Sequence, residues 1–151
     1  MLKLSKKTDY AIILLTHLGE EEVPVSAQKV ATHYKLPYPM VANILKQLVS
    51  SGLIESTRGK HGGYVLAKPA DEINLAEIIM VTDSPFNLVE CVHDEDNCKV
   101  HQYCPTRRPL LALHHKIQQF VEETTLAAII GDAKPINLTL EESSYETAHL
   151  S

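Results

Sequence analysis

The sequence predicts a mainly α-helical fold with a small β wing. Apolar residues recur at spacings of three and four through most of the first 50 positions, which is typical of amphipathic helices. A glycine-rich turn at 58–63 separates two short runs that favour β-strands. Two short helices, a turn, a third helix and a hairpin follow each other in the order of a winged helix-turn-helix domain. A long helical pattern comes later, after residue 109.

The first two helices are predicted from their caps and apolar spacing. Ser5 can cap a helix that runs to Gly19, and Ser26 can cap a second, shorter one after the polar break at 20–24. The apolar positions of the first helix follow the helical spacing; they are Tyr10, Ala11, Leu14, Leu15 and Leu18. Both helices are therefore expected to contribute one face to a common core.

The third helix follows the turn at 36–39 and is expected to end at 51–52. Pro39 suits its first turn, where a missing N–H costs nothing. Its predicted core face consists of Val41, Ile44, Leu45 and Leu48. A rotation of 100° per residue places Asn43 and Lys46 on the opposite face with Pro39, and Gln47 beside them.

The predicted wing has strands at 53–57 and 64–66. Glycines at 59, 62 and 63 permit positive φ angles at its tip, where Arg58, Lys60 and His61 place cationic side chains. A solvated hairpin with an incidental basic turn is the alternative. A phosphate-binding glycine loop is less favoured, since no Gly-Lys-Ser/Thr follows and no helix begins after it.

The second half of the chain is expected to hold three more helices. Asn74 can cap a helix over 75–81, and a long helix is predicted from Pro109 to Thr124. Apolar residues of the long helix form a candidate seam for a partner helix, which predicts a homodimer; they are Leu110, Leu113, Ile117, Phe120 and Val121. The alternative is a helix that lies back on the N-terminal domain. Thr125 can cap a last short helix over 126–130, and the polar remainder at 132–151 is expected to be disordered.

All three cysteines of the chain lie within fourteen residues, as Cys91, Cys98 and Cys104. Three thiolates favour zinc, copper(I) or an iron–sulfur cluster, and the C-x6-C-x5-C spacing differs from the tight knuckles of common zinc modules. His93 and His101 lie in the same stretch. A redox switch or three unrelated surface cysteines are the alternatives.

Composition limits the function classes. No apolar run is long enough to span a membrane, no signal peptide is apparent, and an odd cysteine count fits poorly with a disulfide scaffold, so a cytoplasmic protein is expected. Residues 1–68 hold nine Lys and Arg against five Asp and Glu, whereas residues 69–151 hold five against fourteen. A basic first half predicts an anionic partner such as nucleic acid. No nucleophile–base pattern or nucleotide-binding motif indicates an enzyme, and His114 and His115 are expected to face solvent.

These features together resemble the IscR/NsrR family of dimeric winged-helix transcriptional regulators. The resemblance covers about residues 1–130 and rests on 4–15, on 36–66 with its R-G-x-x-G-G-Y-x-L wing, on the cysteine loop and on Thr125-Leu126-Ala127. Within this group the chain is similar to regulators of the SUF iron–sulfur assembly operon.

The resemblance implies an iron–sulfur cluster, [4Fe–4S] or [2Fe–2S], held by the three loop cysteines. Some [2Fe–2S] members use a histidine three residues after the third cysteine, but Arg107 occupies that position here and stays protonated. Nitric-oxide-sensing [4Fe–4S] members use an aspartate in the N-terminal helix of the other subunit, which corresponds to Asp9. His101 and His93 are the other candidates, and Asp9 also suits the helix dipole.

The resemblance further implies that the protein binds double-stranded DNA at a near-palindromic operator as a homodimer, away from membranes, under control of the cluster. The third helix would enter the major groove and the wing arginine the minor groove. The candidate DNA contacts are Tyr38, Pro39, Asn43, Lys46, Gln47, Arg58, Lys60 and His61. The expected organisation is a DNA-binding domain at 1–82, a cluster loop at 83–108, a dimerisation helix and short terminal helix at 109–131, and a tail at 132–151. A cluster-free regulator of the same fold that senses thiol state or zinc is the alternative; an iron–sulfur enzyme and an RNA-binding scaffold are less favoured.

Overall fold

The computed structural model describes residues 3–84, 86–89 and 98–131. Within these ranges the helices are α1 (Lys6–Glu20), α2 (Ala27–His33), α3 (Tyr38–Ser50), α4 (Leu75–Thr82), α5 (Arg107–Glu123) and α6 (Leu126–Gly131). Strands β1 (Ile54–Thr57) and β2 (Gly63–Leu66) pair antiparallel, with Ile54 opposite Leu66 and Thr57 opposite Gly63. This mainly helical fold with one hairpin is the predicted winged helix-turn-helix. The predicted disordered tail lies outside the described residues.

Side-chain caps begin the helices at the predicted positions. Ser5 Oγ accepts the Thr8 amide at 3.1 Å, and Ser26 Oγ accepts the Lys29 amide at 3.2 Å. Asn74 and Glu77 form a reciprocal capping box, with bonds of 2.9 and 3.1 Å. Each cap satisfies backbone N–H groups that have no partner inside the helix.

The core gathers the inward faces of α1, α2 and α3 with the base of the wing. All four predicted core residues of α3 are buried; they are Val41, Ile44, Leu45 and Leu48. The short helix α6 joins the same core, because Leu126 is fully buried and its amide donates to Ile73 O at 2.7 Å. The chain therefore returns to α1 after the long helix.

Helix α5 differs from its prediction in two respects. It begins at Arg107, two residues before Pro109, which then occupies the first turn, where its missing N–H leaves no hydrogen bond unmade. The prediction that His114 faces solvent is wrong: the residue is 3% exposed, whereas His115 is exposed as expected. Adjacent helical residues point about 100° apart, so one of the pair can pack inward while the other does not.

The predicted apolar seam of α5 divides into two stripes. Leu110, Ile117 and Val121 are half-buried and share a face with His114, and α5 packs against α4. Leu113 and Phe120 are each 46% exposed. No helix in the described part of the chain is long and apolar enough to cross a membrane.

Candidate nucleic-acid interface and cysteine loop

Helix α3 presents a polar face to solvent. Tyr38, Pro39, Asn43 and Lys46 are exposed, as their predicted role requires. Gln47 is half-buried, and its Oε1 atom has no hydrogen-bond partner among residues 3–84, 86–89 and 98–131. Its side chain lines a shallow groove of about 450 Å³; the other lining residues are Asn43, Lys46, Ser50, Ser51 and Val81. Gln47 is thus turned partly toward α4. The outward face of α3 consists of the four exposed residues, Tyr38, Pro39, Asn43 and Lys46.

The wing is fixed to the start of α2 by backbone hydrogen bonds. Val25 and Tyr64 exchange N–H···O bonds of 3.1 and 2.9 Å. A Cβ atom at Gly63 would lie 2.6 Å from the Val25 carbonyl carbon, so only glycine permits this approach. Gly59 has a φ of +114°, as predicted for the tip. The prediction of a positive φ at Gly62 and Gly63 is wrong. Glycine is needed at these two positions because a Cβ atom there would clash with nearby backbone atoms.

The lysine and arginine side chains predicted to contact DNA are exposed to solvent. Arg58, Lys60 and His61 are exposed at the wing tip, and Lys46 is exposed on α3. Among the described residues, the ion pairs of Lys side chains join Lys29 to Glu21 and Lys68 to Glu77, away from this set. Unpaired surface cations of this kind can neutralise phosphates.

Two of the three cysteines lie in the described part of the loop. Cys98 and Cys104 are free thiols and half-buried. Cys104 Sγ lies 3.4 Å from Thr106 Oγ1. This hydrogen bond, with the backbone amides of Thr106 and Arg107 and the Arg107 charge, lowers the pKa of the Cys104 thiol below its ordinary value. The thiolate is the form that binds metals, so the donor set fits a thiolate-ligated metal or cluster.

The remaining predicted ligands are not brought together in the described part of one chain. Cys91 and His93 lie outside the described residues, and the backbone of His101 forms a short 3-10 turn over His101–Tyr103. Asp9 is exposed in the first turn of α1. Within the described ranges, no three His, Cys, Asp or Glu side chains converge on a metal position. A ligand set that includes Asp9 would need a second subunit.

Packing around His114 was not anticipated from the sequence. The rings of His114 and Phe86 stack with centroids 5.7 Å apart and planes at 6°, and the Leu88 amide donates to His114 Nδ1 at 3.4 Å. The signal that could have revealed it is spacing: His114 lies four residues after Leu110 and three before Ile117, in the stripe that faces α4. A histidine at such a position can be buried, although histidines are buried less often than apolar residues are.

The buried hydroxyls of Thr8 and Thr82 connect α1 to the end of α4. Their Oγ1 atoms lie 2.9 Å apart, and Thr82 Oγ1 also donates to Ile78 O at 2.8 Å. Thr8 immediately precedes Asp9, and Thr82 precedes the segment that leads into the cysteine loop. The first turn of α1 is therefore joined directly to the start of the loop region.

Comparison with known proteins agrees with this fold. Residues 4–132 match the family model Rrf2, described as an iron-dependent transcriptional regulator. The chain is 28% identical over 148 residues to the HTH-type transcriptional regulator NsrR of Shouchella clausii, covering 96% of this chain and 99% of that protein. Among solved structures it is similar to CymR, the global cysteine regulator of B. subtilis, with 26% identity, a TM-score of 0.70 and coverage of 87% and 98% of the two chains. It is also similar to T. potens IscR, with 26% identity, a TM-score of 0.68 and coverage of 88% and 89%. The resemblance seen in the sequence is thereby confirmed: this chain belongs to the Rrf2 family of iron-dependent transcriptional regulators.

Proposed function

We propose that the protein binds a near-palindromic operator as a homodimer and that an iron–sulfur cluster in the cysteine loop controls its affinity for that operator. Its targets would be genes of SUF-type iron–sulfur assembly or of the iron, redox or nitric oxide response. The observation that carries the proposal is the pair of free thiols, Cys98 and Cys104, with the pKa of Cys104 lowered at the start of α5. In a family of iron-dependent regulators, such thiols are suited to hold iron.

Cys91, Cys98 and Cys104 would hold the cluster, [4Fe–4S] or [2Fe–2S], and Asp9 of the partner subunit would complete its ligand set. When bound, the cluster would supply redox-active iron that reacts with oxidants and nitric oxide. Asp9 is free to contact a partner because its side chain is exposed. The helix turn that holds Asp9 is joined to α4 by the contact of Thr8 with Thr82. A ligand bond at Asp9 would therefore bias the position of the DNA-binding domain.

On DNA, the exposed face of α3 would enter the major groove. Asn43 can form two hydrogen bonds to adenine, while Tyr38 and Pro39 lie at the helix start, where recognition helices approach base edges. Lys46 would contact phosphate, and half-buried Gln47 would need to turn out of its groove to reach a base. Arg58 would lie in the minor groove beside Lys60 and His61. A dimer then implies half-sites about 34 Å apart.

The test begins with protein purified under nitrogen from iron-replete cells. Iron and sulfide are quantified, a visible spectrum is recorded, and an operator is selected from a random DNA pool. We expect a coloured protein with stoichiometric iron and sulfide, and operator affinity that differs between the holo and apo forms at one salt concentration. Cys104→Ser should abolish the colour, and Asp9→Asn should weaken cluster retention. A colourless, iron-free preparation, or equal affinity of both forms, would refute the proposal.

A second candidate is a cluster-free regulator of the same fold that senses thiol state or zinc. It is favoured by the two free thiols and by the similarity to CymR, a cysteine regulator. The same preparation separates the two functions. A colourless protein that contains zinc, or that forms a Cys98–Cys104 disulfide with altered operator affinity, would support the second function.

A further inference from the structure

We infer that His114 is a positioning residue that anchors the start of the cysteine loop to α5. Only 3% of its surface is exposed, and it contacts the segment 86–89 in two ways. Phe86 stacks on its ring, and the Leu88 amide donates to its Nδ1 atom at 3.4 Å. Leu88 lies three residues before Cys91, so this contact fixes the last described residues before that cysteine in the chain.

The hydrogen bond defines the protonation state of the ring. A nitrogen that accepts a hydrogen bond carries no proton, so Nδ1 is unprotonated and the ring proton resides on Nε2. A leucine could fill much of the same volume but could not accept from Leu88. An asparagine places its oxygen near the position of Nδ1, which makes the role testable separately from packing.

Both ends of the loop are thereby attached to one helix. Cys104 lies three residues before α5 begins at Arg107 and contacts Thr106. His114 lies seven residues after Arg107, about 10 Å along the helix axis. Fixing the two ends restricts the positions available to the cysteines between them, which lowers the conformational entropy that ligand binding would have to remove. This role depends on the proposed function, since positioning ligands presupposes that the loop binds a metal group.

The experiment compares full-length wild type with His114→Leu, His114→Asn and the control His115→Leu, which changes the exposed neighbour. In the apo protein, hydrogen exchange at the Leu88 amide and the rate of Cys91 alkylation are measured by mass spectrometry. We expect His114→Leu to raise both by about tenfold, the effect of losing one hydrogen bond and its ring contact. His114→Asn should restore much of the protection at Leu88, and His115→Leu should match wild type. Thermal unfolding establishes that each variant is folded. If His114→Leu is unfolded, Phe86→Leu is measured in its place, because it keeps the hydrogen-bond acceptor and removes the ring stacking. We expect this variant to show a smaller increase in the rate of Cys91 alkylation.

Anaerobic cluster release is the second readout, and we expect it to be several-fold faster in His114→Leu. Unchanged Leu88 exchange in that variant, or His114→Asn as unprotected as His114→Leu, would overturn the inference. If wild type contains no iron, the proposed function fails, while the exchange and alkylation rates still decide whether His114 anchors the segment. If wild type contains iron but the variant releases it at the wild-type rate, the positioning role fails and the proposed function stands.

Discussion

Lys35 occupies the turn between α2 and α3 in a conformation that favours glycine. Its φ is +54°, and the amides of Lys35 and Leu36 donate to Thr32 O and Ala31 O at 3.3 and 2.9 Å, the bonding pattern of a Schellman cap. A side chain in this left-handed region costs roughly 1 kcal/mol. We expect Lys35→Gly to raise the free energy of unfolding by about 0.5–1 kcal/mol in urea titrations. Lys35→Ala, which keeps the Cβ atom, should change it little; a loss of stability in the glycine variant would contradict this account.

His17 makes folding stability depend on pH. The residue is 7% exposed, its Nδ1 lies 3.1 Å from the Tyr34 hydroxyl, and its Nε2 has no hydrogen-bond partner in the described structure. Burial lowers its pKa below the ordinary 6.5; Glu21 and Glu20 oppose this shift, while His33 and Lys29 reinforce it. Between the lowered pKa and about 6.5, the unfolded chain binds more protons at His17 than the folded protein does. Stability conferred by neutral His17 is therefore full above pH 6.5 and decreases as the pH falls.

We expect urea unfolding at several pH values between 7.5 and 5 to show a smaller loss of stability for His17→Gln than for wild type. His33→Gln is the matched control, because that histidine lies beside His17 but is exposed. Parallel pH profiles for wild type and His17→Gln would show that His17 does not contribute to the pH dependence.

At the level of elements, α1 and α4 are joined by a buried pair of hydroxyls. Thr82 donates its proton to Ile78 O, so it must accept from Thr8 across the 2.9 Å contact. We expect Thr8→Val and Thr82→Val each to lower the free energy of unfolding by about 1–2 kcal/mol, because each removes one partner of a buried bond. The double variant should lose less than the two single losses together, because the one bond between the two hydroxyls is counted in both single losses. A double-mutant cycle in urea measures this coupling, and strict additivity would argue against the bond.

The wing is the element whose charge is expected to act on DNA. Arg58→Ala should weaken binding to the selected operator and reduce the slope of log affinity against log salt by about one, as expected for the loss of one cationic contact. Lys116→Ala, which removes an exposed cation on α5, is the control. Fluorescence anisotropy at four salt concentrations gives both quantities. An unchanged slope would remove Arg58 from the set of DNA contacts.

Across the whole molecule, features set by local spacing were predictable and features set by distant partners were not. Caps such as Ser5 and the core face of α3 depend on neighbours three or four positions away, so the sequence was sufficient. His114 was misassigned because its partner Phe86 lies 28 residues earlier, and no local pattern links them. Gly63 was identified as a wing glycine for the wrong reason, since the clash that it avoids is with Val25, far back in the chain. Asp9 stays a prediction because its proposed partners belong to a second subunit.

One apolar stripe of α5 is not covered by the other described residues. Helix α6 returns to the core while Leu113 and Phe120 stay 46% exposed, on the side of α5 away from His114. Two such stripes can bury each other, so we predict that they form the dimer interface. Leu113→Glu with Phe120→Glu should convert a dimer to a monomer in analytical ultracentrifugation, because each buried carboxylate would lack a partner.

Operator affinity should decrease by about a hundredfold or more in the same double variant. Two DNA-binding domains that are no longer linked bind their half-sites independently, so the gain from binding both half-sites together is lost. His115→Glu introduces charge at a position that points to another side of the helix, and it should stay dimeric. A double variant that sediments as a dimer would place the interface elsewhere. A monomer that binds the operator as tightly as wild type would show that dimer formation through this stripe is not needed for operator recognition.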